Sequence, residues 1–241
     1  MARGILLIGT DTGVGKTVVC AAIMHRMLAL GLKACYFKPV ASGMIPVDGM
    51  DMPGDAWFVK TFSGLAEDVH SISPCCFRTP VSPHLAARME ASIIDIDAIR
   101  QSMSGLKESY DYIVAEGCGG LAVPLNDRGY MLAHLVRGLG FDCILAARAG
   151  LGTINHTLMT LSYAGAMGIG VRGIIFSGCT GSVMEKDNIE TIRTLSGLPV
   201  LGMVPVVPGV DVDRLAAGNL KEIEDRAIDL QGVLSVMGEL P

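Results

Sequence analysis

Apolar residues fall along this chain in short unbroken runs, separated by longer stretches in which they recur every three or four positions. The runs over 4–8, 34–37, 112–115, 143–146, 173–176 and 200–204 are too short for helices and read as strands. They are continuously apolar where a half-exposed strand would alternate, which predicts burial on both faces. The spaced stretches predict helices over 18–30, 55–62, 96–106, 132–139, 154–167 and 185–195. Strand and helix alternate from end to end, so the expected fold is α/β, with a mainly parallel sheet covered by helices on both faces. No repeat, low-complexity tract or linker breaks the pattern, and 241 residues suit a single domain spanning 1–241. Ligands in such folds lie beyond the carboxyl ends of the strands, so the residues that follow each strand are the ones to read for chemistry.

The first strand leads into Gly9-Thr10-Asp11-Thr12-Gly13-Val14-Gly15-Lys16-Thr17, and a helical pattern follows at once. This is the setting of a phosphate-binding loop, which makes the fold P-loop NTPase-like. Gly13 and Gly15 let successive backbone N–H groups converge on phosphate oxygens, and the helix start adds its positive end. Lys16 would reach the outer phosphates and the Thr17 hydroxyl would hold magnesium. The usual spacing asks for glycine at position 10, where this chain has Thr10 and places Gly9 one residue early. An ordinary strand-to-helix turn explains the glycines but not the lysine and threonine together.

Lys38-Pro39-Val40-Ala41-Ser42-Gly43 follows the second strand. Pro39 biases Lys38 toward an extended conformation aimed at the site, and a solvated surface lysine is an equal reading. Residues 44–54 read as a loop rich in Met, Pro, Gly and Asp, ending at Asp55, which is either a helix N-cap or a magnesium carboxylate. Pro80-Val81-Ser82-Pro83-His84 is a rigid segment whose histidine reads as structural. Glu116 ends the third strand beside Gly117, Gly119 and Gly120, the usual place for a second magnesium carboxylate, with glycines that admit a close backbone approach. Cys118 lies among them without a base to activate it. At Gly150 to His156 a helix begins, where free N–H groups suit a carboxylate and simple capping by Thr153 or Asn155 is the plainer reading. Ser177 to Thr180 reads as a small polar loop without a base-recognition signature.

Composition narrows the partners. A net charge of −5 and a pI near 5.5 leave no broad basic surface, which argues against nucleic acid and leaves anionic ligands to local lysines and dipoles. Mean hydropathy is high at +0.47, yet every apolar run is broken well before the ~20 residues of a membrane span. Met1-Ala2-Arg3 runs straight into the first strand, so no removable leader is expected. The seven cysteines are odd in number and form no C-x-x-C pair, which argues against a metal cluster or disulfide frame, and Cys20, Cys35 and Cys143, inside apolar strands or helices, read as small buried hydrophobes in a reducing cytoplasm.

The motifs, in this order and over nearly the whole length, resemble dethiobiotin synthetase, the family that precedes sulfur insertion in biotin synthesis. The resemblance rests on the loop from Gly9 to Thr17, Lys38 to Gly43, Ser82-Pro83-His84, Glu116 to Gly120, and Gly152-Thr153-Ile154-Asn155-His156. It implies an ATP- and Mg²⁺-dependent ligase whose small-molecule substrates are 7,8-diaminopelargonic acid and CO2. One amine forms a carbamate, the carbamate attacks the γ-phosphate, and the second amine closes the ring and expels phosphate. It further implies that Lys16 and Lys38 carry the catalytic positive charge, that Thr12, Gly13, Val14, Gly15, Lys16, Thr17, Val18 and Ser177 hold the nucleotide, and that Thr17, Asp55 and Glu116 hold the metal. Ser42, Gly119 and Gly120 would meet the carbamate or diamine. Gly152, Thr153 and Asn155 would bind the substrate carboxylate across the interface of a homodimer. On this reading His84 is a pocket wall or structural residue and Cys118 a bystander.

The chain departs from the family pattern at two positions. Some members have glutamate where this chain has Gly13, and members that read adenine have asparagine where it has Ser177, whose hydroxyl cannot present both an amide donor and a carbonyl acceptor. A partition or septum-positioning type ATPase shares the expected fold, but usually carries a second lysine early in the loop, where this chain has Thr10 and Asp11. The synthetase half of a corrin-acid amidotransferase is a further alternative, which would continue into a glutaminase domain.

Overall fold

The computed structural model describes residues 1–241. Six strands run parallel: β1 Arg3–Gly9, β2 Ala34–Phe37, β3 Tyr112–Glu116, β4 Cys143–Arg148, β5 Val171–Cys179 and β6 Val200–Pro205. Their spatial order is β6-β5-β4-β1-β3-β2, and the short strand Gly238–Glu239 joins as a seventh, antiparallel to the start of β1. Consecutive residues of a strand face opposite ways. Ile5, Leu6, Leu7 and Ile8 are all fully buried, so both faces of the sheet are covered, as the unbroken apolar run predicts.

The covering helices follow the expected order: α1 Lys16–Ala29, α2 Gly54–Ser63, α3 Ile96–Ser109, α4 Leu132–Leu139, α5 Thr153–Ala166 and α6 Val183–Ser196. α1 is buried along much of its length, including Val19, Cys20, Ile23, Met24 and Met27, and α2 packs against it. α3 buries one stripe, Ile99, Met103 and Leu106, and gives its other residues to solvent. None of the helices is long and apolar enough to cross a membrane, and all seven cysteines are free.

β1 lies between β3 and β4. The chain goes to one side of it for β2 and β3 and to the other for β4, β5 and β6, so the strand order reverses at β1. That reversal opens a crevice beyond its carboxyl end, where the phosphate loop begins.

Three expectations need correction. Residues 44–54 form a hairpin in place of a loop: Met44–Val47 pairs with Met50–Pro53 through Asp48-Gly49, both at positive φ (50° and 79°). An Asp-Gly pair is the sequence signal for such a turn. Ser177 to Cys179 belong to β5 and not to a loop, because β4 and β6 continue far enough to pair with them (Arg148↔Ser177, Pro205↔Cys179). The helix expected from 185 begins at Val183, since Ser182 and Glu185 form a capping box.

Candidate active site

The phosphate loop is built by two residues in the left-handed region, Gly13 (φ 69°) and Gly15 (φ 92°). None of the backbone N–H groups from Gly13 to Val18 donates to a group within the chain, which leaves a row of donors at the start of α1. Gly15 also lies where no side chain fits: a β-carbon there would stand 2.2 Å from Ser177 Oγ. Lys16 folds back over the loop, and its Nζ donates to the Asp11 carbonyl at 3.0 Å. On the far side Gly119 is at φ 73° and its carbonyl accepts from Gly9 N–H at 3.3 Å, while a β-carbon on Gly120 would press to 3.2 Å from the Gly9 carbonyl. These glycines let the loop after β3 lie directly on the phosphate loop.

Beside it, four side chains from four elements meet. The Lys38 ammonium, just past β2, lies 2.6 Å from Asp55 Oδ2 and 2.7 Å from Glu116 Oε1. The Thr17 hydroxyl, with one proton to give, lies 3.1 Å from Asp55 Oδ1 and 2.9 Å from Glu116 Oε1. Tyr36 Oη donates to the other Glu116 oxygen at 2.7 Å. Tyr36 and Lys38 are two apart on extended chain, so both side chains point to the same side. The solvated reading of Lys38 fails because it is only 2% exposed. The capping reading of Asp55 fails as well. Pro53 is the N-cap of α2, and the carboxylate faces Lys38 and Thr17.

Burial opposes the charge on Lys38, but Asp55 and Glu116 outweigh it and hold the ammonium above its ordinary range. Asp55 is the mirror case: burial would raise its carboxyl, and Lys38 with Thr17 holds it below its usual value. Lys16 is pushed down by burial first and by the neighbouring Lys38 second. Burial raises the Cys118 thiol to about 11, against the pull of Lys38 and Lys16, so it remains a protonated bystander.

A cleft of about 700 Å³ opens over this cluster. Thr12, Gly13, Gly15, Lys16, Thr17, Val18, Lys38, Ser42, Asp55, Glu116 and Gly119 line it. Val14, Gly120 and Ser177 do not. Ser177 is buried behind Gly15, on the strand side of the loop. Gly152, Thr153 and Asn155 lie at the start of α5, outside the cleft. The Thr153 hydroxyl is spent on the Arg148 carbonyl, Gly152 is the N-cap at positive φ (90°), and Asn155 is exposed, so neither Thr153 nor Asn155 caps the helix. His84 sits on the short helix Pro83–Met89 with a buried Nδ1 that has no partner.

The sequence reading missed four contributors. Tyr36 was hidden in an apolar strand. Arg148 ends β4 and donates to the Gly13 carbonyl at 2.9 Å. Val81, and the segment around Val210 and Asp213, complete the cleft wall. Only the position of Arg148, at a strand end beside β1, could have been read beforehand.

A family model described as an AAA domain matches residues 3–214. The ATP-dependent dethiobiotin synthetase of Clostridium kluyveri is 37% identical over 243 residues, with 100% of each chain covered. That of Clostridium acetobutylicum is 41% identical over 85% of this chain and 87% of its own, and that of Caldicellulosiruptor saccharolyticus is 35% identical over 98% of both. Among solved structures, the MinD cell division protein of Aquifex aeolicus aligns with a TM-score of 0.60 at 16% identity, covering 97% of each chain. The septum site-determining protein MinD of Pyrococcus horikoshii, complexed with Mg-ADP, gives 0.60 at 16% identity, over 98% of this chain and 96% of its own. At such low identity the likeness to MinD is one of fold alone.

Proposed function

The chain belongs to the ATP-dependent dethiobiotin synthetase family, and from that premise we propose how its residues carry the ATP-dependent ligation. The observation behind the proposal is that Thr17 and Lys38 each meet both Asp55 and Glu116, at 2.6–3.1 Å, beside a loop of unspent N–H donors.

The reaction joins two anions, a carbamate and a triphosphate, which repel each other strongly in a closed site. The N–H groups over Gly13 to Val18 bind the phosphates, with Lys16 released from the Asp11 carbonyl to the outer phosphates. Lys38 faces the transferring phosphoryl group from the other side. Thr17, Asp55 and Glu116 present three hard oxygen donors at one point, which fits magnesium: that ion takes one or two carboxylates and completes its shell with water and phosphate. When bound, it would neutralise phosphate charge. Ser42 and the backbone at Gly119 and Gly120 orient the diamine and its carbamate, formed from 7,8-diaminopelargonic acid and CO2. Burial keeps water from the mixed anhydride until the second amine closes the ureido ring and phosphate leaves. Ser177 serves the nucleotide through Gly15, which it supports from behind.

The start of α5 at Gly152, Thr153 and Asn155 lies outside this protomer's cleft, which suits the carboxylate-binding role across a homodimer interface that the family resemblance implies. The exposed apolar side chains of Leu151, Met159 and Val183 supply a surface for that homodimer. The seven free thiols suit a cytoplasmic enzyme, and nothing in the charge pattern calls for nucleic acid or a membrane.

The test is product mass and phosphate release from enzyme given the diamine, bicarbonate and a panel of nucleoside triphosphates. The expected result is dethiobiotin with one phosphate per product, and no release when either substrate is omitted. Equal release without them would overturn the reading.

A further inference from the structure

Two neighbours across the β4–β5 ladder, Arg148 and Ser177, touch the phosphate loop at its two left-handed glycines. Ser177 stands behind Gly15 as a wall. Arg148 does something more specific. Its Nη2 donates to the Gly13 carbonyl at 2.9 Å, and its guanidinium forms no ion pair although the side chain is exposed. An exposed arginine ordinarily has carboxylates or water to serve, so one held against a backbone carbonyl fixes the direction of a peptide. In a trans peptide the C=O and the next N–H point opposite ways, and the chain has no cis bonds. Holding the Gly13 carbonyl therefore turns the Val14 N–H away from the guanidinium, and that N–H is one of the donors unspent within the chain.

The arginine is itself firmly placed. It is the last residue of β4, whose Ala146 carbonyl accepts from Thr10 N–H at 3.1 Å at the root of the loop. Its own carbonyl is taken by the Thr153 hydroxyl. Gly13 itself, a glycine at φ 69°, offers little resistance to a peptide rotation.

We propose that Arg148 is a positioning residue for nucleotide phosphate: by holding the Gly13 carbonyl it keeps the Val14 N–H turned toward the phosphates. The inference rests on the nucleotide reading above and adds a residue to it. It gives Arg148 a role distinct from Lys16, which supplies charge, because Arg148 acts through the orientation of one peptide.

The test is titration of ADP and of adenosine into wild type, Arg148→Ala and Arg148→Lys. A hydrogen bond to a charged group contributes enough that its loss weakens binding about tenfold or more. ADP should therefore bind Arg148→Ala at least about tenfold more weakly, in both low salt and about 0.5 M salt, where exposed charges are screened. Adenosine, which has no phosphate, should bind as in wild type, and Arg148→Lys should recover part of the loss. In ligand-free protein the Val14 amide resonance should move in Arg148→Ala and return toward its place in Arg148→Lys. ADP affinity within twofold of wild type, equal loss for adenosine, a loss that vanishes at high salt, or an unmoved Val14 amide would each overturn the proposal. A wild type that binds no ADP would instead remove the nucleotide reading, and the Val14 amide would still decide the role of Arg148.

Discussion

Lys38 and Glu116 are 78 residues apart in sequence, yet Nζ and Oε1 stand 2.7 Å apart with both side chains buried. The cause is the parallel register of β2 and β3, which pairs Phe37 with Ala115 and so brings the next residue of each strand to the same level. Asp55 joins from the start of α2, and one ammonium then faces two carboxylates.

Removing that ammonium leaves two carboxylates in a poorly hydrated place, a change that costs about 3–5 kcal/mol for buried pairs. Lys38→Met should lose stability of that order in urea unfolding. The double variant Lys38→Met/Glu116→Gln should regain much of it without regaining ring closure. Nucleotide binding should persist in the double variant while product formation is lost. Wild-type turnover in either variant would take Lys38 out of the chemistry.

Tyr36→Phe removes one hydroxyl and leaves Glu116 Oε2 buried with no donor. An unsatisfied buried acceptor costs about 1–3 kcal/mol. Denaturant unfolding should register a loss in that range, and the magnesium concentration needed for half-maximal activity should shift, because Glu116 loses the bond that fixes its orientation. An unchanged midpoint and unchanged magnesium dependence would show that the Tyr36 bond is idle.

Gly15→Ala meets two obstacles, the Ser177 hydroxyl 2.2 Å from the new methyl and a φ of 92°. ADP binding should be lost. Adding Ser177→Gly clears the contact but leaves the backbone strain, so the pair should recover only part of the affinity. Full recovery would mean that the contact alone matters; no recovery would mean that the conformation alone does.

Asp55 is held below its ordinary carboxyl range, so its contribution to stability is present above its unfolded value of about 3.9 and is lost as pH falls through the lower folded value. Lys38 is held above its ordinary range, so its contribution is present below about 10.4 and is lost as pH rises through the higher folded value. Between those limits the pair contributes a constant amount. The stability gap between wild type and Asp55→Asn should be flat from about pH 5 to 9 and should close below about pH 4. A gap that varies across neutral pH would mean another group titrates with the pair.

Chelation separates activity from fold. Because Lys38, Thr17 and Tyr36 already supply donors to Asp55 and Glu116, the ligand-free melting temperature should not move on addition of EDTA, whereas turnover should stop and return with magnesium. A lower melting temperature in EDTA would show that the carboxylates depend on a metal for folding.

The sequence alone determined the order and kind of the main elements and the chemistry of the phosphate loop. Both are written in contiguous residues: an unbroken apolar run between helical stretches is a doubly covered strand, and Gly-Lys-Thr at the start of a helix is a local device. It also marked Lys38, Asp55 and Glu116 as positions worth reading, since each stands at the end or start of an element. Tertiary structure alone decided between the open alternatives, turning Lys38 inward and Asp55 away from the helix cap. It also brought in Tyr36, which no local pattern distinguishes from a core residue, set the Arg148 side chain on the Gly13 carbonyl, and put Ser177 behind Gly15. Their partners lie far along the chain, and only strand register and the crossings between strands set which distant side chains come within bonding distance.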